Sequence, residues 1–450
     1  MGFIRKFLEK KKRRVFVLGL DGMPFTLAQQ LFGMGTMPTY KGLTEGQGAF
    51  RPIDSVLPPV SSVAWASFMT GKNPGNHNIF GFVDRRPGTL ETFIPSCLDL
   101  KSETLWEILS RHGKRVVVMN VPTSYPPRKV NGILVAGFES PSVEKATYPS
   151  EVGMKLKQMG YRIDIDPWQA RQSRKKFVED LYQTFQKRQE AVLHFMDEEP
   201  WDFFIAHIMD TDRMHHFLWR QWEEKDPEFH ARFVEFYARV DALIAEVMQR
   251  LMDEDELIIL SDHGFCRLDK EVYINHYLAE QGWLSFEDGK GDNLSAMSPA
   301  SKAYSLIPGR IYLNRKGRER DGWIEDADVD SVIDELKGCL LEMKDPASGE
   351  TIITRCFRKE EAFTGAYCDT APEMVVLSRD GYDLKGNIKT DALLGPSELV
   401  GMHTYNNAML YSKNSQLRDG PACVTDVMPT ILQVMGLNLE GLDGRSLLIQ

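Results

Sequence analysis

The chain has 450 residues, 42% of them hydrophobic and 26% charged, so it can bury a sizeable core and is not collagen-like, coiled-coil or wholly disordered. Its 54 basic residues fall short of its 64 acidic ones, a formal net charge of −10, which argues against broad coating of nucleic acid because that needs a basic footprint. A small anionic substrate is still compatible, since bound metal ions reverse the local field.

Six cysteines without a CxxC pair read as reduced thiols of a cytoplasmic protein. The N-terminus lacks the long apolar stretch of a signal peptide, and no apolar run reaches the length of a membrane span. Residues 1–14 form a basic tail in which Phe3, Ile4, Phe7 and Leu8 can share one helical face. Such a segment either touches an anionic membrane surface peripherally or is a frayed, solvated end.

The first β-rich run, Arg14–Leu20 (RVFVLGL), ends at Asp21-Gly22. Similar runs follow at Arg115–Met119, Gly132–Gly137, Asp202–His207, Leu257–Ser261 and Met374–Ser378, with helical patterns at Thr104–His112, Arg174–Met196, Pro227–Met252 and Asp328–Met343. Strands alternating with helices predict an α/β fold whose mostly parallel central sheet is covered on both faces. Glu287–Pro308 reads as a loop or partly mobile lid, and a smaller insertion is expected at about 269–359 within one catalytic domain spanning 15–450.

Chemistry-bearing residues gather at the ends of these strands, where open α/β sheets build their sites. Asp21 follows the first run, Asp210, Asp212, His215 and His216 follow the fourth, and Asp262-His263 follows the fifth. Asp212 and His216 are four apart and share a helical face, a workable bite for a divalent metal. Asp210 and His215 compete with them on spacing alone, while His207 reads as packed within its strand. In Leu57–Phe80, two prolines hold off a helix until Val60, which puts Ser61 or Ser62 at a helix N-terminus as a cap or as a nucleophile beside an anion. Phe203, Phe204, Phe217, Trp219 and Trp222 read as core packing, with a base-stacking platform as the sharper alternative.

The motifs LGLDGM, PPVSSVAWASFMTG with NPGNHNIF, DTDRMHHFLW, LSDHGF and GMHTYNNAML, taken in this order, resemble the type I phosphodiesterase/nucleotide pyrophosphatase family of the alkaline phosphatase superfamily. The resemblance runs from about Val15 to Leu448 and implies an alkaline phosphatase-like three-layer sandwich. It also implies a metal-dependent phosphoric ester hydrolase acting on small phosphorylated substrates, foremost phosphodiesters or nucleotide pyrophosphates. By matching position, one divalent ion, zinc or else manganese, takes Asp212, His216 and His403. The second takes Asp21, Asp262, His263 and the nucleophile oxygen. The family's nucleophile stands nine residues before the threonine of a Thr-Gly pair, here Thr70-Gly71, which gives Ser61 and leaves Ser62 as the fallback. Ala64 replaces an asparagine common in nucleotide pyrophosphatases, which puts nucleotide specificity in doubt, and His77 reads as a brace for its loop. A phosphomonoesterase or a mutase-like enzyme resembling cofactor-independent phosphoglycerate mutase would use the same two-metal core, with Arg85, Arg86, Arg213 or Lys72 to hold a phosphorylated acid. A non-catalytic metal-binding protein is the reading from another class.

Overall fold

The computed structural model describes residues 13–286, 293–388 and 390–449. The basic tail up to residue 12 and the first part of the expected lid, 287–292, lie outside the described residues.

Eight strands form the central sheet, in the order Ala49–Ile53, Ala408–Ser412, Glu256–Leu260, Val15–Leu20, Phe203–Ile208, Val116–Val121, Gly132–Ala136 and Thr147–Tyr148. The five from Glu256–Leu260 to Gly132–Ala136 are mutually parallel, and the outer pairings are antiparallel. Alternation along the first strand divides the core. Phe16, Leu18 and Leu20 pack on the helices Phe25–Gly33, Arg174–Glu198, Asp210–Glu223 and Phe229–Arg250, whereas Val15 and Val17 face Ser61–Thr70, Leu105–Arg111 and Val427–Val434. Both faces are covered, so the strands read as unbroken apolar runs rather than alternating ones. At the start of the sheet, the tail's last residues Arg13 and Arg14 pair with Glu256 and Asp255, at the end opposite Asp21 and Asp262.

A second lobe has its own core. Its four-stranded antiparallel sheet runs Ala303–Leu306, Arg310–Leu313, Met374–Ser378, Ile353–Arg358, with the helix Val329–Leu341 against it. Met374–Ser378 therefore leaves the parallel sheet in which its apolar run suggested it, because such a run marks a buried strand without saying which sheet buries it. The lobe's sheets also reach beyond residue 359, to Leu394–Gly395. Within the expected loop, Ala303–Leu306 is a strand, held by Tyr304 stacked on Tyr312 with 5.3 Å between ring centroids. Among the described residues no helix is long and apolar enough to cross a membrane.

One close approach links the fold to the site. Gly19 lies in the first strand, and a Cβ there would stand 2.4 Å from the ring of buried Trp65. Gly19→Ala is expected to destabilise the protein by about 1–3 kcal/mol by overpacking, read as a lower urea midpoint with an unchanged slope. A midpoint equal to wild type would contradict this packing.

Candidate active site

Three adjacent parallel strands deliver most of the chemistry. Asp21 follows Val15–Leu20, and Asp262 and His263 follow Glu256–Leu260 on one side of it. Phe203–Ile208, on the other side, leads into the helix Asp210–Glu223, which places Asp212 and His216 one turn apart. His403 arrives on Gly401–Thr404, a strand paired antiparallel with Gly264–Arg267 so that His403 stands opposite Phe265. Gly401 makes this possible, because a Cβ there would lie 2.5 Å from the His215 carbonyl oxygen.

Six of the seven residues expected as metal ligands, all but Ser61, fall into two groups: Asp212, His216 and His403, and Asp21, Asp262 and His263. In each group one ligand atom per residue lies within 4.8 Å of the others. The stacked rings of His263 and His403, 3.8 Å between centroids, join the groups.

Hydrogen bonding fixes the orientation of all three imidazoles. Nδ1 of His216 faces the Gly401 carbonyl at 2.9 Å, Nδ1 of His403 the Pro59 carbonyl at 3.2 Å, and Nδ1 of His263 the Gly264 carbonyl at 3.0 Å. A carbonyl only accepts, so each Nδ1 carries a hydrogen and each ring turns Nε2 toward the carboxylates. His216 and His403 present Nε2 to one another at 3.0 Å, and Asp212 Oδ1 lies 3.1 Å from the His403 nitrogen. Asp262 Oδ2 is buried without a hydrogen-bond partner, 3.4 Å from His263 Nε2. Ring nitrogens and carboxylate oxygens converging in a buried pocket need positive charge among them, carried by protons or by a cation. The donor set, oxygen and imidazole nitrogen pinned from behind, fits a divalent ion in each group.

The charge balance has the same origin. Burial and the neighbouring Asp21 push the Asp262 carboxyl well above its ordinary range. Burial also raises Asp212, but His216 and His403 outweigh it and hold Asp212 well below the usual carboxylate value. His263 is lowered to about 3 by burial and by His403, so its ring stays neutral. Burial lowers His403 as well, but the Asp212 hydrogen bond more than reverses this.

Ser61 is the first residue of the helix Ser61–Thr70, whose N-cap is Val60 and lacks a side-chain cap. Neither serine is therefore spent as a cap. Ser61 Oγ lies 3.2 Å from Asp21 Oδ1 and 3.2 Å from His263 Nε2. Ser62 Oγ is buried without a partner on the same cavity wall. Asp21 Oδ2 is held from behind by His207 Nε2 at 2.8 Å and by the Trp65 indole N–H at 2.9 Å, which leaves Oδ1 for the serine. These two orienting residues were not evident from sequence: His207 sits mid-strand, and Trp65 looks like any core aromatic.

The competing candidates are engaged elsewhere. Asp210 pairs with buried Arg188 at 2.8 Å, and His215 bonds Tyr237 among Phe233, Trp219 and Phe265. His77 braces its loop, accepting at Nδ1 from the Ile79 N–H and meeting Ser67 Oγ at 2.9 Å. Arg85 is buried against Glu319 at 3.0 Å, Arg86 lies over Phe93, and Lys72 follows the far end of the helix that Ser61 begins. Phe203, Phe204, Phe217, Trp219 and Trp222 are core residues. Of the basic candidates only Arg213 reaches the cavity, paired with Asp164 at 2.6 Å and with Asp212 at 3.2 Å. The cavity is about 420 Å³, and its aromatic side chains are Phe82 and Phe138.

The model of the type I phosphodiesterase/nucleotide pyrophosphatase family matches residues 15–406. The chain belongs to this family. It is thus a phosphoric ester hydrolase, from a superfamily that uses divalent metal ions. Among solved structures it is similar to the phosphonoacetate hydrolase of Sinorhizobium meliloti 1021 in complex with phosphonoacetate, with TM-score 0.64 and 16% identity over 94% of this chain and 95% of that one. It is also similar to murine ectonucleotide pyrophosphatase/phosphodiesterase 5 in complex with AMP, with TM-score 0.58 and 14% identity over 96% and 97% of the two chains. The human counterpart gives TM-score 0.58 and 15% identity over 96% and 97%. At these identities the likeness establishes the alkaline phosphatase-like fold. No curated relative matches the chain.

Metal uptake at these two groups should release protons, because Asp262 and His403, whose pKa is raised, would give theirs up on ligation. Zinc-binding heats measured in buffers of different ionisation enthalpy should differ, with about one proton or more released per chain and affinity rising with pH. Heats independent of buffer would contradict this assignment.

Proposed function

We propose that the enzyme hydrolyses phosphodiesters through a phosphoseryl intermediate on Ser61, with two divalent cations, zinc or else manganese. Asp212, His216 and His403 would hold one, and Asp21, Asp262, His263 and Ser61 Oγ the other. The observation that carries this reading is the position of Ser61 Oγ, at a helix N-terminus and within reach of both Asp21 and His263. When bound, the ions supply Lewis-acid polarisation, a lowered serine pKa and neutralisation of charge on the attacking and departing oxygens.

The chain's own residues do the positioning. His207 and Trp65 hold the Asp21 carboxylate in one orientation, and Asp21 Oδ1 in turn accepts from the Ser61 hydroxyl. The first turn of the helix Ser61–Thr70 directs its free N–H groups and positive dipole end at the phosphoryl oxygens. Arg213, anchored by Asp164, adds a fixed positive charge at the Asp212 end of the cavity. Serine attack forms the Ser61 Oγ–P bond as the bond from phosphorus to one ester oxygen breaks. Water then cleaves the phosphoserine, returning Ser61 and releasing a monoester. Two in-line displacements give net retention at phosphorus.

Ser61→Ala should lower turnover of bis(4-nitrophenyl) phosphate by about a thousandfold or more while leaving metal content nearly unchanged. Ser62→Ala should retain most of the activity. Full activity in Ser61→Ala, or its loss only in Ser62→Ala, would overturn the assignment.

A further inference from the structure

The cavity beside the candidate site is divided by polarity. At one end stand Ser61, Ser62, Asp212, Arg213, His216 and His403. The second lobe contributes an aliphatic stretch to the lining, with Ile307, Pro308, Val376, Leu377 and Leu384. The second lobe's polar side chains in the lining are engaged with backbone or with one another. Ser378 Oγ donates to the Tyr382 carbonyl at 2.5 Å, and Lys385 pairs with Asp383 at 2.5 Å. A buried side-chain oxygen without a partner, Ser62 Oγ, lines the cavity at its metal-ligand end instead.

A nucleobase packed against Ile307, Val376, Leu377 and Leu384 would leave its ring nitrogens and exocyclic groups unpaired against aliphatic carbon, a penalty that hydrogen-bonding sites avoid. Nor is there an open slot for it between the cavity's aromatic rings, since Phe82 and Phe138 are already stacked on one another, 5.9 Å between centroids and 26° between planes. An alkyl or aryl group loses nothing on that stretch and gains by leaving water. The volume, about 420 Å³, lies within the range of small-ligand pockets, roughly 300–1,000 Å³.

We infer that this cavity takes the apolar ester arm of a phosphodiester, not a nucleoside, and that Ile307, Leu377 and Leu384 of the second lobe set that preference. The inference rests on the phosphodiesterase reading for the placement of the phosphate, at the end of the cavity lined by Ser61, Asp212 and Arg213.

The test separates the two. Binding of methyl, butyl and hexyl phosphate and of AMP to the zinc-loaded protein is measured by calorimetry, without turnover. Affinity should rise about two- to fourfold per added methylene, and hexyl phosphate should bind more tightly than AMP. Ile307→Asn and Leu377→Asn should each flatten that rise, and the wild-type series decides the matter even if either variant fails to fold. Affinity that is flat or undetectable along the series, or AMP binding more tightly than hexyl phosphate, overturns the inference. Turnover of alkyl 4-nitrophenyl phosphates is followed in parallel. A binding gradient without turnover sinks the phosphodiesterase reading and keeps the apolar arm, while turnover without a gradient does the reverse.

Discussion

Three imidazole Nε2 atoms and three carboxylates converge beyond the carboxyl ends of the central strands, and they need positive charge among them to stay together. His216, His403 and His263 have no freedom to relieve this, because each Nδ1 is tied to a backbone carbonyl. The protein raises the pKa of Asp262 and leaves its Oδ2 without a partner, as expected of a group waiting for a cation. The net charge of −10 bears little on the substrate for the same reason: cations held by these aspartates would offset their charge where a phosphate must dock.

The rest of the fold serves this convergence. The parallel pairing of Val15–Leu20 with both Glu256–Leu260 and Phe203–Ile208 aligns Asp21, Asp262 and Asp212 without any loop having to reach far. Glycine appears where backbone must approach closely: Gly19 beneath Trp65, and Gly401 against the helix that carries His215 and His216. Among the described residues, the second lobe supplies no candidate ligand. It contributes Ile307, Val376, Leu377 and Leu384 to the cavity lining, so the candidate metal ligands and these aliphatic residues come from different lobes of the chain.

Much of this was legible in the sequence because it is local. Asp212 and His216 are four apart and do share a helix face, and Asp262-His263 follows a buried strand as its pattern implied. The same local rule could not separate Asp212 and His216 from Asp210 and His215. That choice is made by Arg188 and Tyr237, which are distant in sequence. His403 was legible through family motif order alone, since its approach depends on a strand pairing with Gly264–Arg267. Trp65, His207, Phe82 and Phe138 carried no signal, because orienting an aspartate or lining a cavity asks nothing of a side chain that core packing does not also ask. Met374–Ser378 was read as a strand correctly but assigned to the wrong sheet, since an apolar run records burial and not partners.

The central claim is that the two side-chain groups are two cation sites. Crystals grown with zinc and measured at wavelengths on either side of its absorption edge test it directly. The account predicts two anomalous peaks per chain, one among Asp212, His216 and His403 and one among Asp21, Asp262 and His263 beside Ser61 Oγ. A fully loaded crystal with no peak in either group, or with its peaks elsewhere on the chain, would contradict it.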